Sequence, residues 1–241
     1  MKKIFLVVIA VITLIACDKK EVDADANVHI PGDVKGLSQG KLYLQKIQDS
    51  ALVMLDSIIV NGDSKFESHI KLDSPEMLYL FLDRGQTNSI DNSLPFFAEP
   101  GNIKIETTLK HFFADAKISG SKNHDLWKKF DSINSKFRDQ NLALMEKRLK
   151  NELKPNATTT DSIEKAYKSL LTRKYRYTAH FAATNGNKEI APYLALSEIA
   201  DINTTYLDTI QKSLTPEVAK SKYGKMLNEH IKERKTLEVQ K

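Results

Sequence analysis

The hydrophobic pattern changes its period once along the chain, at Gly120, and this change constrains the fold more than any other feature. Before Gly120, apolar and polar residues alternate over short runs bounded by Gly, Pro and Asn, which is typical of half-buried strands. After Gly120, apolar residues recur at spacings of three and four, as they do on one face of a helix. The sequence therefore predicts an α+β protein, with a β domain over residues 28–120 and an α-helical domain over residues 121–241.

Seven or eight short strands are predicted before Gly120, arranged as an antiparallel β-sandwich or barrel. They cover residues 28–30, 41–45, 52–60, 65–70, 77–82, 95–98, 103–106 and 116–118. The run at 77–82 is apolar throughout, so we expect it at the centre of a sheet. Pro31-Gly32 is predicted to interrupt the first strand, and Asn61-Gly62 to form a turn. A hairpin is predicted around Pro100-Gly101, a pair that suits a type II turn.

Two long amphipathic helices, joined by a short loop that contains Pro155, are predicted to pack as an antiparallel hairpin. Asp161-Ser162-Ile163-Glu164 has the pattern of a capping box and is predicted to begin the second of them. Asn185-Gly186 is predicted to end it. The remaining predicted helices begin at Pro192, after Asn203-Thr204, and at Pro216 in the N1 position.

Cys17, the only cysteine, closes a segment with the layout of a bacterial lipoprotein signal. Lys2 and Lys3 precede thirteen residues, 4–16, that are apolar except for Thr13. A helix of that length spans about 20 Å, which is short of the ~30 Å hydrocarbon core, so residues 1–16 are predicted to be a signal peptide. Leu14-Ile15-Ala16-Cys17 matches a lipobox, in which the cysteine is acylated and becomes the first residue of the mature chain.

The predicted lipid on Cys17 determines where the protein is expected and limits its chemistry. We expect an envelope protein held by acyl chains such as palmitate, at the outer rather than the inner membrane and facing the periplasm or the surface. Residues 17–27 are predicted to be a tether. With its only thiol acylated, the folded part has no disulfide and no Cys-x-x-Cys pair. We expect no nucleic-acid partner, because an exported protein rarely meets nucleic acid and no recognition motif is present.

Charge is distributed unevenly between the two predicted domains. Residues 17–120 carry 11 basic and 16 acidic side chains, whereas residues 121–241 carry 23 basic and 15 acidic ones. The first part therefore has a net charge of −5 and the second a net charge of +8. This asymmetry favours a two-part architecture.

Several turns and strand edges carry a family resemblance. They are Gly32, Gly36, residues 40–44, residues 55–58, Asn61-Gly62, Lys65-Phe66, residues 97–102, residues 118–121 and, in the helical half, Ala191-Pro192-Tyr193-Leu194. In these residues the chain resembles an uncharacterised domain at the N-terminus of thiol–disulfide interchange lipoproteins of the Bacteroidota. In those proteins a thioredoxin-like domain with a Cys-x-x-Cys pair follows and carries the redox chemistry. The present sequence reaches Lys241 without such a pair, so the resemblance implies the accessory part and no redox activity.

No catalytic or metal-binding motif is recognisable in the sequence. The six histidines are dispersed, without the His-x-His or His-Glu-x-x-His spacing of a metal site, and are expected to be ordinary surface or partly buried residues. These histidines are His29, His69, His111, His124, His180 and His230. No nucleophile elbow or phosphate-binding loop appears, and no pair of carboxylates stands out for acid–base work. We therefore expect a protein that is not an enzyme and that needs no metal or cofactor.

Two groups of residues have alternative interpretations. Phe96, Phe97, Phe112 and Phe113 could form a stacking platform for a sugar or peptide, but the usual burial of Phe favours a place in the sandwich core. The basic residues of the two long helices could face anionic headgroups or an acidic partner, but a solvated helix face is the commoner explanation. They are Lys128, Lys129, Lys147, Arg148, Lys150, Arg173, Lys174 and Arg176.

A short Asp-Ser/Thr-apolar motif occurs five times and resembles the acceptor motif for O-glycosylation of exported Bacteroidota proteins. The candidate acceptors are Ser50, Ser57, Ser132, Ser162 and Thr209. The alternative is that Asp-Ser pairs simply suit strand edges and helix caps. Some of the five are expected to be buried and therefore unusable.

The sequence thus predicts a non-catalytic, membrane-anchored envelope lipoprotein that acts as a binding or scaffold module for another envelope protein or a small ligand. A second interpretation is a glycan- or peptide-binding lipoprotein. A third, which depends on the family resemblance, is an accessory to a separate thioredoxin-like reductase.

Overall fold

In the computed structural model, which describes residues 25–85 and 90–239, nine strands are followed by six α-helices. The strands are β1 (Val28–Lys35), β2 (Gln39–Gln48), β3 (Ala51–Asn61), β4 (Lys65–Ile70), β5 (Glu76–Asp83), β6 (Ser93–Ala98), β7 (Gly101–Asn102), β8 (Lys104–Thr108) and β9 (Lys117–Ser119). All helices follow the strands, so the predicted α+β class is confirmed.

The strands form two sheets that enclose one hydrophobic core. One sheet has the order β3-β2-β5-β6 and is antiparallel throughout. The other has the order β4-β1-β8-β9, with β7 beside β1, and is mixed because β1 runs parallel to β7 and β8. Alternate residues such as Leu42, Leu44 and Leu80 of one sheet and Ile30 and Ile105 of the other are buried in the shared core. The two sheets therefore pack face to face as a sandwich.

The hairpin predicted around Pro100-Gly101 is wrong. Ala98 pairs with Glu76 in the antiparallel sheet, whereas Gly101 pairs with Val28 in the mixed sheet. The chain crosses from one sheet to the other at this point instead of folding back on itself. Strand pairing is decided by distant partners, and a local turn signal does not reveal them.

The first strand also differs from the prediction, because β1 continues through Pro31-Gly32. Pro31 lies between the part of β1 that pairs with β7 and the part that pairs with β8, and the ladder with β8 begins at Gly32. A Cβ on Gly32 would lie only 2.2 Å from the ring of Phe66. Glycine is therefore required here by the close approach of Phe66. The turn predicted at Asn61-Gly62 agrees with the positive φ of Gly62, +92°.

Two long helices form the predicted hairpin, and four shorter ones follow. The helices are α1 (Lys122–Leu153), α2 (Ala157–Thr184), α3 (Ile190–Glu198), α4 (Thr204–Ser213), α5 (Pro216–Lys220) and α6 (Lys222–Val239). α1 and α2 run antiparallel, since Arg148 pairs with Glu164 near the loop and Phe130 contacts Phe181 near the other end.

Two predicted helix starts and the extent of the last predicted helix need correction. α2 begins after Asn156, whose side chain accepts a hydrogen bond from the backbone of Thr159, so the capping box predicted at Asp161 is wrong. Asp161 lies inside the helix and pairs with Lys165. Pro192 is the third residue of α3 rather than its first. The last predicted helix is two helices, because the chain bends at Ser221 between α5 and α6. Pro216 does occupy N1 of α5, with Thr215 as the cap.

The helical part packs on the outer face of β5 and β6 through a second apolar cluster. Phe97 of β6 contacts the rings of Tyr193 and Tyr223, with centroid distances of 5.5 and 6.0 Å. The Tyr223 hydroxyl accepts a hydrogen bond from the backbone N–H of Met77. Burial raises the pKa of both tyrosines, which keeps them neutral. This cluster joins the sandwich and the helices in a single packed structure.

Candidate functional site

An open groove of about 300 Å³ lies where α1 passes along the sandwich. α1 contacts β6, the last strand of one sheet, and β9, the last strand of the other, so it covers the side on which the sandwich is open. The groove is lined by Leu94, Pro95, Phe113, Ala116, Ile118, His124, Trp127, Lys128, Asp131 and Ser132. Its walls are mostly apolar, with a few polar groups at the base and rim, as is typical of small-ligand sites.

His124 lies at the base of the groove and is held by the start of α1. Ser121 caps this helix by accepting a hydrogen bond from the backbone of His124. The His124 side chain is almost completely buried, and its Nδ1 lies 3.4 Å from the backbone nitrogen of Phe97. Because an N–H donates to Nδ1, the neutral ring carries its proton on Nε2.

The buried His124 ring is neutral at physiological pH. Its pKa is lowered from 6.5 to about 4, chiefly because burial penalises the charged form and also because Lys128 lies nearby. Within residues 25–85 and 90–239, no group is hydrogen-bonded to Nε2. The ring therefore offers one N–H donor in a lining that is otherwise mostly apolar. A ligand acceptor in the groove could receive a hydrogen bond from it.

Two aromatic rings contribute to the groove lining. Trp127, the only tryptophan of the chain, follows His124 on α1, and the two ring centroids are 5.5 Å apart. Phe113 comes from the segment between β8 and β9, where its backbone N–H donates to Asp91. The neighbouring Phe112 is fully buried and anchors the segment in the sandwich core. Both aromatic walls are thus held by packed structure on one side.

The rim of the groove carries Lys128, Asp131 and Ser132. Asp131 accepts a hydrogen bond of 2.7 Å from Arg138, and Ser132 donates its hydroxyl to the backbone carbonyl of Lys129. Neither side chain is therefore set as a base or nucleophile against His124. The arrangement is suited to binding through shape and hydrogen bonding rather than to a covalent step.

The four phenylalanines considered for a stacking platform divide between the two interpretations. Phe96, Phe97 and Phe112 are fully buried, as core residues are. Phe113 is 47% exposed and lines the groove. Trp127, which lies three residues before Phe130 and packs against the same apolar cluster, also lines the groove and was not identified from the sequence patterns.

The histidines are dispersed in sequence, but the fold brings two of them together. His29 and His69 face each other across β1 and β4, with their Nδ1 atoms 2.7 Å apart. The part of the chain that the structure describes contains no group of three His, Cys, Asp or Glu residues able to hold a metal ion. His111 and His180 are exposed, and His230 contacts the carbonyl of Ala200.

Three of the eight basic residues considered for an anionic partner are engaged in ion pairs. Arg148 pairs with Glu164, Lys150 with Glu146 and Lys174 with Glu198. Arg173 donates to Gln140 on the facing helix. These contacts are those of a solvated, salt-bridged helix surface.

All five candidate glycosylation acceptors are exposed, whereas some were expected to be buried. Ser50 lies in the turn between β2 and β3, Ser57 on β3, Ser132 on α1, Ser162 on α2 and Thr209 on α4. Exposure leaves each of them accessible, and their glycosylation stays a prediction.

Cys17 and most of the predicted tether lie outside the described residues. Asn27, the last tether residue, exchanges two hydrogen bonds with the backbone of Leu72 and is thus part of the ordered fold.

Comparison with known proteins identifies the sandwich and not its activity. Residues 28–127 match the family described as a domain of unknown function (DUF4369). The match covers every strand and the first turns of α1, including His124 and Trp127. It confirms the prediction of an uncharacterised domain. No curated protein matches the chain.

In the described residues, no helix is long and apolar enough to cross a membrane.

Proposed function

We propose that the chain is a non-catalytic envelope lipoprotein, anchored through Cys17, that binds a ligand in the groove between α1 and the sandwich. The observation that carries this proposal is the His124 Nε2–H donor, which lies without a partner among the described residues, in a groove walled by Trp127 and Phe113. A mostly apolar groove with one N–H donor in its lining suits a ligand that combines an apolar group with a hydrogen-bond acceptor.

A peptide with an apolar side chain fits this chemistry better than a glycan. Leu94, Pro95 and Ile118 supply aliphatic surface that a sugar, with hydroxyls around its ring, would leave poorly solvated. A peptide carbonyl can accept the proton of His124, and Lys128 at the rim can meet a carboxylate. The volume of about 300 Å³ is at the lower end for small-ligand sites and suits one or two side chains.

Trp127 makes the proposal directly testable, because it is the only tryptophan and lies in the groove. We expect its emission to change on titration with short peptides that carry a Leu or Phe side chain. Oligosaccharides of similar size are the comparison ligands. A saturable response to a glycan alone would favour the glycan-binding alternative, and no response to either panel would contradict the proposal.

The lipid anchor has its own test. Cells that express the chain are fed labelled palmitate, and we expect label on the wild type and none on a Cys17→Ser variant. The wild type should be found in the membrane fraction and the variant outside it. Equal processing and equal fractionation of the two chains would contradict the anchor. An intact mass with hexose additions to the lipidated polypeptide would support glycosylation, and a mass equal to that of the lipidated polypeptide would contradict it.

A further inference from the structure

We propose that the end of the β2–β3 hairpin is a lipid-contacting tip, resting on the surface of the membrane to which the chain is anchored. The tip consists of four apolar residues, Ile47, Leu52, Val53 and Met54. The inference rests on the proposed anchor at Cys17 and adds a second, non-covalent contact with the bilayer.

The tip lies at the free edge of its sheet, because β3 is the edge strand. The ladder between β2 and β5 ends at Lys46, which faces Leu78, and residues 47–52 pair only within the hairpin. The exposed fractions are 48% for Ile47, 61% for Leu52, 37% for Val53 and 57% for Met54. Isolated apolar residues on a surface are common, but Ile47, Leu52 and Met54 are exposed together on one ribbon and form a patch that favours contact with another surface.

Three apolar side chains of the tip share one face of the ribbon, and the part of β3 within the tip carries no charge. Ile47 lies directly opposite Leu52, and Met54 lies two residues further along, so the three share one face of the ribbon. No charged residue occurs from Ala51 to Leu55. The polar turn residues Asp49 and Ser50 have positive φ values of 50° and 66°, which make the turn tight. The apolar face of the ribbon, rather than its polar turn, is therefore the surface that suits the interfacial region of a bilayer.

The tip lies at the end of the sandwich where the chain enters it. Val28 begins β1 and pairs with Ile70 at the end of β4, and Asn27 bonds to Leu72 just beyond it. β5 begins four residues later at Glu76, whose carboxylate lies 3.7 Å from the amine of Lys46 at the base of the tip. The entry of the chain and the tip are therefore on the same side of the molecule.

The tether is short enough to keep this end close to the bilayer. Residues 18–24 separate Cys17 from the first described residue, Asp25. Fully extended, such a segment reaches roughly 25–30 Å at about 3.5 Å per residue. The groove opens beside Leu94 and Pro95 in the first half of β6, away from the end at which Ala98 pairs with Glu76. Contact between the tip and lipid would thus leave the groove accessible.

A cysteine-labelling experiment tests the tip in the full-length, acylated chain. Acylation blocks the only native thiol, so a Met54→Cys variant accepts an environment-sensitive fluorophore at one position. The matched control is Ile59→Cys, which is 73% exposed on the same strand but roughly 16 Å further along it, at about 3.3 Å per residue. The proteins are reconstituted in vesicles of phosphatidylethanolamine and phosphatidylglycerol that contain nitroxide-labelled lipid.

We expect nitroxide lipid to quench the probe at position 54 severalfold more than the probe at position 59. Equal quenching at both positions, or none at position 54, would overturn the lipid contact. Energy transfer between labelled copies that depends on protein concentration would assign the tip to a second copy instead and would also overturn it. Failure of the anchor itself is distinguishable, because the wild type would then leave the vesicles and Cys17 would react with the dye.

Discussion

The groove and the hairpin tip both expose apolar side chains, but they differ in what lies behind and among those side chains. The groove is concave, is lined by the rings of Trp127 and Phe113, and includes the His124 side chain with its N–H donor. The tip lies at the free edge of a sheet, past the end of the β2–β5 ladder at Lys46, and carries no charged side chain between Ala51 and Leu55. The first surface can select a ligand by an oriented hydrogen bond, whereas the second can only favour an apolar environment.

This difference teaches that apolar exposure alone does not define a specific site. Specificity comes from a polar group whose hydrogen bond is missing in the free protein and is restored by the right ligand. His124 meets this condition because its ring is fixed by Phe97, Ser121 and Trp127, so the direction of the Nε2–H bond is set before a ligand arrives.

Truncation of Phe97 should have the largest effect on the free energy of unfolding. Phe97→Ala removes a fully buried ring from the cluster that joins the sandwich to the helices, and we expect it to lower the free energy of unfolding by about 3–5 kcal/mol. Denaturant unfolding followed by circular dichroism measures the change. Met77→Leu, a change of similar volume in the same cluster, is the control and should cost less than about 1.5 kcal/mol. A small effect of Phe97→Ala would contradict the packing of the sandwich against the helices through this cluster.

Acidification should weaken the fold through His124. Above pH 6.5 the ring is neutral in both the folded and the unfolded chain. Between pH 6.5 and about 4 the unfolded chain binds a proton that the folded chain does not, so stability is lost as the pH falls through this window. The full effect of this group is on the order of 3 kcal/mol.

A matched variant isolates the contribution of His124 to this loss. His124→Asn retains an oxygen acceptor near the position of Nδ1 for the backbone N–H of Phe97 and cannot titrate. Unfolding curves measured at a series of pH values should fall less steeply for this variant than for the wild type. Identical slopes for the two proteins would contradict the burial of a neutral ring.

Removal of an aromatic wall should weaken ligand binding without unfolding the protein. Phe113→Ala is expected to raise the dissociation constant of an apolar peptide roughly tenfold, which corresponds to about 1.4 kcal/mol. Trp127 emission provides the binding curve. Leu149→Ala truncates another exposed apolar side chain, on the distal part of α1, and it should leave the affinity unchanged. Equal losses in the two variants would place the binding surface outside the groove.

The smallest effect is expected at the tip. Leu52→Ser replaces an exposed side chain with nothing packed behind it, so the free energy of unfolding should remain within about 0.5 kcal/mol of the wild type. The peptide affinity measured through Trp127 should also be unchanged. If Leu52→Ser lowered the free energy of unfolding as much as Phe97→Ala does, Leu52 would be a packed residue and this account of the tip would be contradicted.

The local elements could be predicted from the sequence because their signals are local. The alternation in Lys65–Ile70 and the apolar run within Glu76–Asp83 gave strands close to the observed ones. The capping box at Asp161 failed because Asn156 offers a cap more than one turn earlier, after Pro155 has ended the preceding helix. Helix boundaries depend on which of several competent caps the tertiary structure uses.

The pairing of strands and the groove could not be predicted, because both depend on contacts between distant residues. Gly101 pairs with Val28, and His124 shares a groove with Leu94 and Phe113. The available signal was the single tryptophan, Trp127. A large aromatic residue of this kind is worth considering as part of a binding surface.

The central claim is that the Nε2–H of His124 is the donor that recognises the ligand. Nuclear magnetic resonance of the protein with ¹⁵N-labelled histidine measures this directly, with the His124 signal assigned by its absence in His124→Asn. At neutral pH we predict a neutral ring protonated on Nε2, whose N–H resonance shifts on titration with an apolar peptide and saturates together with Trp127 emission. A proton on Nδ1, or an unchanged Nε2–H resonance at saturating peptide, would contradict the account.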